Sequence, residues 1–100
     1  MDMEPKERQP SDKELMEAYQ DGDFEAFKEL YSRYEKKLYN FFLRGLAGNK
    51  EEASDLFQSL FLKLHKSRAD YDSAFSVSTW LYAIARNLLK DRWKAKGGRW

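Results

Sequence analysis

The chain has no cysteine, only two prolines and five glycines, and a single histidine, His65. Without thiols it cannot form disulfides or thiolate metal sites, and a lone histidine leaves a zinc site dependent on several carboxylates. Both prolines, Pro5 and Pro10, precede the first periodic segment, so little interrupts the rest, which favours long helices over a many-turned β fold. No apolar run approaches the ~20 residues that cross a bilayer, and the N-terminus, MDMEPKERQP, is polar and mixed in charge rather than a signal peptide. A soluble, cytoplasmic protein is expected. The sequence shows no P-loop, no Gly-rich dinucleotide turn and no Ser/His/Asp order. No catalytic residue, metal, cofactor or small-molecule substrate is therefore expected, and the chain is read as not an enzyme.

Aromatic residues are plentiful, with 7 Phe, 6 Tyr and 3 Trp in 100 residues, enough to close one modest core. Residues 1–10 read as a disordered leader. Ser11 followed by Glu14 forms a capping box, opening a helix from about Asp12 to Gln20 that buries Leu15, Ala18 and Tyr19. Asp21-Gly22 ends it. Asp23 caps a second helix over about Phe24 to Arg44, with Phe24, Phe27, Leu30, Tyr31, Tyr34, Leu38, Phe41 and Phe42 at steps of three and four. Gly45 and Gly48 are expected to close that element. Asn49 caps a third helix from Lys50 to about Lys66, whose inner face is Ala53, Leu56, Phe57, Leu60, Phe61 and Leu64. Residues 67–76, SRADYDSAFS, carry no periodic pattern and form a long loop. Ser76 caps a fourth helix from Val77 to about Lys96, with Val77, Leu81, Ile84, Ala85 and Leu88 inward and Gly97-Gly98 as its stop. The fold class is all-α: a compact bundle of about four helices with one long loop before the last.

Net charge is only +1, but residues 1–29 hold four basic and ten acidic side chains (net −6), whereas residues 86–100 hold six basic and one acidic (net +5). A polyanion meeting the basic end accounts for this asymmetry. So does a solvated helix end with cations favoured by the macrodipole; charge alone does not choose.

Two faces exceed what packing requires. On the third helix, Leu62 falls opposite the apolar stripe, among Asp55, Gln58, Ser59 and Lys66, with Phe61 and His65 at the border. An apolar centre with a polar rim suits a protein contact, although a single exposed leucine is ordinary. On the fourth helix, Tyr82, Arg86, Lys90 and Trp93 project to one side, flanked by Thr79, Asn87 and Lys94. Cations hold phosphates and rings stack on bases, so such interleaving suits single-stranded nucleic acid; a snorkelling face whose aromatics cover neighbouring helices is the competing account. The preceding loop could supply a pocket for an extruded base. Asp70 and Asp72 in that loop have Asp-x-Asp spacing but lack the downstream Gly and Glu of a calcium loop, and are better read as turn formers.

Three segments, in order, carry a family likeness. DGDFEAFKELYSRYEKKLYNFF resembles the start of region 2 in bacterial extracytoplasmic-function sigma factors. EEASDLFQSLFLKLHK resembles the acidic, DLxQ-containing helix that docks on the coiled coil of the polymerase β′ subunit. STWLYAIARNLLKDRWKAK is similar to the Trp-Leu-x-x-Ile-Ala-Arg-Asn helix that reads and helps melt the minus-ten promoter element. The likeness runs from about Ser11 to Lys96, and residues 97–100 would begin an interdomain linker. It implies that Asp55, Gln58, Ser59, Phe61, Leu62 and His65 face RNA polymerase core, with Gln58 and Leu62 foremost because Asp55 can also brace the domain itself. It implies that Asp70, Tyr71, Phe75, Ser76 and Ser78 in and after the loop hold a flipped non-template base. Thr79, Tyr82, Arg86, Asn87, Lys90, Trp93 and Lys94 would line the strand path.

The sequence departs from the family pattern at several points. Ser59 stands where an acidic residue commonly follows the glutamine, His65 replaces a frequent tryptophan, and DSAFSVS lacks the usual Pro/Gly-rich, arginine-bearing run. No region 4 helix-turn-helix follows, so a fragment ending in the linker is expected. The functional expectation is a promoter-melting module with polymerase and single-stranded promoter DNA as partners. The rival is a sigma-like interaction module bound by an anti-sigma factor without DNA readout of its own. Promoter sequence, inducing signal and oligomeric state are not written in the chain.

Overall fold

A computed structural model describes residues 9–96, so part of the leader and all of residues 97–100 lie outside the described residues. Four α-helices follow one another: α1 (Asp12–Gln20), α2 (Phe24–Gly45), α3 (Lys50–Ser67) and α4 (Val77–Ala95), with a short 3-10 turn, Arg68–Asp70, after α3. No strand occurs among the described residues. Helix α1 packs on α2, α2 on α3 and α4, and α3 on α4.

Each helix starts where a local side chain satisfies its free amides. Ser11 Oγ accepts from Glu14 N at 3.0 Å while Glu14 Oε1 accepts from Ser11 N at 2.8 Å. Asp23 accepts from Glu25 N and Ala26 N, Asn49 from Glu52 N, and Ser76 from Thr79 N. The C-terminal ends follow less obvious rules. Gly45 is still helical, and α2 closes through Leu46, with Ala47 at φ 55° and Gly48 at φ 82°. Gly48 N donates to Leu43 O at 2.8 Å, which ties off an orphan carbonyl.

The core is built around α3, whose Ala53, Leu56, Phe57, Leu60, Phe61 and Leu64 are all buried, as its periodicity predicts. Rings from α2 meet them, Tyr31 at 4.8 Å and Phe27 at 5.8 Å from Phe61, and Tyr19 of α1 lies 4.9 Å from Phe27, centroid to centroid. The inward assignments differ on three helices. Met16, not Ala18, is fully buried on α1; Leu89 is buried on α4 while Ile84 and Leu88 are half-buried; and Phe24 is 58% exposed at the start of α2. Phe24 lies in the first turn, where its only ring neighbour among the described residues is Phe27 of the same helix, 5.3 Å away.

Candidate functional site

The outer face of α3 carries Asp55, Gln58 and Leu62 in solvent, with Ser59 half-buried. Their spacing of three, four and seven places them along one strip. Leu62 is 58% exposed and, with Ser59, Lys63, Lys66 and Ser67, lines a shallow hollow. Three of the six residues expected here do other work as well. Phe61 is buried, because Phe27 and Tyr31 of α2 cover it, and so supports the strip from behind. His65 Nδ1 lies 2.5 Å from the Tyr19 hydroxyl, a hydrogen bond that joins α3 to α1 with a direction set by the imidazole tautomer. Arg68 stands over the Tyr19 ring and donates to His65 O at 2.6 Å. Burial pushes the Tyr19 hydroxyl above the ordinary phenol range, and the Arg68 charge partly offsets it.

Asp55 is exposed yet not free. Arg92 Nη2 of α4 donates to Asp55 Oδ2 at 2.6 Å, and Arg92 Nη1 donates to Glu52 Oε1 at 3.1 Å. Lys96 Nζ donates to the other Glu52 oxygen at 2.5 Å. The Lys96 hydrogen bond, then that of Arg92, holds the Glu52 carboxyl below the usual carboxylate range. The basic end seen in the sequence is therefore divided: α3 carboxylates neutralise Arg92 and Lys96, whereas Arg86, Lys90 and Lys94 make no ion pair among the described residues.

The segment before α4 is held in place from α1. Gln20 Nε2 donates to Arg68 O at 2.8 Å and to Tyr71 O at 3.4 Å. Tyr71 is buried, its ring 5.3 Å from Trp80 and its hydroxyl donating to Phe75 O at 2.7 Å. Its polar atom is spent on shaping the loop, while the residue still lines the hollow described below. Asp72 Oδ1 accepts from Ala74 N at 2.9 Å, the turn-forming role expected of it. Ser76 caps α4 and its hydroxyl also donates to Thr79 Oγ1 at 2.8 Å. Asp70 and Phe75 are exposed, Phe75 by 58%, and Ser78 is half-buried beside Tyr34. A hollow opens between this loop and the start of α1, lined by Lys13, Tyr71, Phe75 and Ser78 together with Ser11 and Asp12. The α1 wall was not read from the sequence; nothing local in residues 11–13 indicates that the loop folds back on them.

Along α4, Arg86, Asn87, Lys90 and Lys94 are exposed, as the sequence suggests. Tyr82 and Trp93 are half-buried. Tyr82 packs edge-on against Phe41 at 5.3 Å, and Trp93 Nε1 donates to Gly45 O at 2.9 Å. Both join α4 to α2 while leaving part of the ring at the surface. Among the described residues, no group of His, Asp and Glu is placed to hold a metal, and no helix is long and apolar enough to cross a membrane.

Comparison with known proteins accords with this arrangement. Residues 30–99 match the family model for Sigma-70 region 2. The ECF RNA polymerase sigma factor SigF of Caulobacter vibrioides is 34% identical over 84% of the chain and 47% of its own length. The RNA polymerase sigma-H factor of Pseudomonas aeruginosa is 37% identical over 91% of the chain and 47% of its own length. The chain thus spans about half the length of these curated relatives. A solved structure of an engineered region 2 of sigmaE in complex with GTAAAA superposes with a TM-score of 0.80 at 32% identity, covering 95% of both chains. The chain belongs to the Sigma-70 region 2 family, in its extracytoplasmic-function group.

Proposed function

We propose that this domain recognises and melts the minus-ten promoter element by capturing non-template single-stranded DNA while docked on the β′ coiled coil of RNA polymerase, in the cytoplasm. The observation that carries the reading is the hollow between the loop and α1, with exposed Phe75 at its edge. It opens at the start of the helix whose Arg86, Lys90 and Lys94 have no ion pair among the described residues. The relative of the same fold was solved with GTAAAA, which supports the same class of ligand here.

The mechanism is one of differential binding rather than bond chemistry. Extruding a base costs a few kcal/mol, and its capture in a shaped pocket offsets that cost. Phe75 offers a ring on which a base can stack, worth ~1–3 kcal/mol. Lys13 and the α4 cations position phosphates and carry little sequence information. On α3, Gln58 and Leu62 are the core of the polymerase-facing strip, with Ser59 and His65 at its rim. Asp55 contributes there while bracing Arg92.

Binding of the chain to a GTAAAA strand, to the corresponding duplex and to a scrambled strand tests this proposal. Weak, salt-dependent binding is expected, with preference for the unscrambled single strand. Equal affinity for all three would leave only electrostatics, and the interaction module bound by an anti-sigma factor would then be the better reading.

A further inference from the structure

A second concave surface lies well away from the loop hollow, between the C-terminal half of α2 and the C-terminal half of α4. Its floor is apolar, formed by Phe41, Leu89 and Trp93, and its rim carries three cations: Arg44 from α2, and Arg86 and Lys90 from α4. All three are exposed, and none has a carboxylate partner among the described residues. The two helices approach closely beneath the groove. Gly45 faces Leu89 so tightly that a β-carbon there would lie 2.3 Å from Leu89 Cδ2, and the Trp93 indole is held to Gly45 O at 2.9 Å. A cation in the last turn of α2 accords with the helix macrodipole, which explains Arg44 alone. It does not explain why Arg86 and Lys90, mid-helix on another element, converge on the same groove.

We infer that this groove is a second nucleic-acid contact, in which Arg44 joins Arg86 and Lys90 around the sugar–phosphate backbone of the strand flanking the captured bases. Charge complementarity selects the occupant: three uncompensated cations around an apolar floor suit an anion that carries flat or apolar groups between its charges. Lys90 lies fourteen residues beyond Ser76, about 21 Å along the α4 axis, so a strand running along α4 meets Arg44 only beyond the nucleotides held at the loop hollow. The inference rests on the proposed function only in taking nucleic acid as the ligand, and Arg44 of α2 lies outside every DNA-contact expectation drawn from the sequence.

The test uses the whole chain and four probes: GTAAAA alone, and the same strand extended by eight thymidines on the 5′ side, the 3′ side or both. One extension is expected to raise affinity by about fivefold or more, as an added stacking and phosphate contact would. Arg44→Gln should abolish that gain and lower the magnitude of the salt slope by about 0.7, the share of one single-strand phosphate contact. The same variant should leave binding of the bare hexamer in place, and Arg44→Lys should retain most of the gain. Helicity measured alongside verifies that both variants fold. The inference is overturned if neither extension helps, or if the gain survives Arg44→Gln. It is overturned equally if polyglutamate displaces the extended strand as well as oligothymidine does, since the groove would then favour an acidic polypeptide. Loss of hexamer binding in the unmodified chain, with an Arg44-dependent gain intact on the long strands, would strike the loop-capture reading and leave the groove standing.

Discussion

Leu62 has 58% of its surface in solvent on a helix whose other large apolar side chains are all buried. No neighbour within the fold requires a leucine there, so its replacement probes an outside contact with little risk to the core. Leu62→Asp is expected to leave helicity almost unchanged, since Asp costs only a few tenths of a kcal/mol beyond Leu in a helix. Capture by the isolated β′ coiled coil should weaken about tenfold or more, the behaviour of a central apolar contact replaced by a charge. A pull-down with immobilised coiled coil measures it, and undiminished capture would show that the docking strip lies elsewhere. At this scale the sequence was legible where a side chain's direction follows from helical phase, as for Gln58 and Leu62. It said less where another element decides the outcome. Phe61 reads both as inner face and as border of the strip, and it is Phe27 and Tyr31 of α2 that cover it. Tyr71 stands in a stretch with no period at all, and its burial depends on Trp80 and on the loop pinned by Gln20.

The four N-terminal helix boundaries were written locally, because Ser11, Asp23, Asn49 and Ser76 each cap amides two or three residues ahead. The end of α2 was not. Gly45 reads as a stop, but it is still helical and Leu89 of α4 occupies the space a side chain there would need; the left-handed residues are Ala47 and Gly48, of which the sequence pointed only to Gly48. Glycine at 45 thus serves packing between α2 and α4 rather than termination. Gly45→Ala sets two effects against each other: a gain of up to about 1 kcal/mol in helix propensity, and about 1–3 kcal/mol of overpacking against Leu89, which is itself buried. The clash is the larger, so a net loss of about 1 kcal/mol is expected, or about 4–8 °C in melting temperature for a domain this size. Thermal unfolding followed by circular dichroism reads it. An unchanged or raised melting temperature would mean that Leu89 finds another rotamer at no cost and that the helix contact is looser than the geometry indicates.

Across the whole molecule, a net charge of +1 conceals a fold in which opposite charges are placed to meet. Asp12 near the chain's acidic start accepts from Arg33 Nη1 at 2.9 Å and from the Tyr34 hydroxyl, which pins α1 to α2. Glu52 and Asp55 perform the same service between α3 and α4 through Arg92 and Lys96. The uneven charge was legible in the sequence; its division into bracing and exposed cations was not, since that depends on which helices end side by side. The pH response follows from these contacts. Burial first, then the hydrogen bond to Asp12, pushes the Tyr34 hydroxyl up to about 12. Burial also raises Tyr71 and Tyr19. An unfolded tyrosine ionises near pH ~10, so between about pH 10 and 12 the folded state retains a proton that the unfolded state has lost. Stability from this group is therefore fully present below about pH 10 and is lost as pH rises through the folded value, by an amount on the order of 1–3 kcal/mol. Denaturant midpoints measured from pH 8 to 12 should fall most steeply in the upper half of that range. Tyr34→Phe should start lower, having lost the bond to Asp12, and decline less steeply. Parallel curves for the two proteins would mean that Tyr34 is not the group whose ionisation opens the α1–α2 contact.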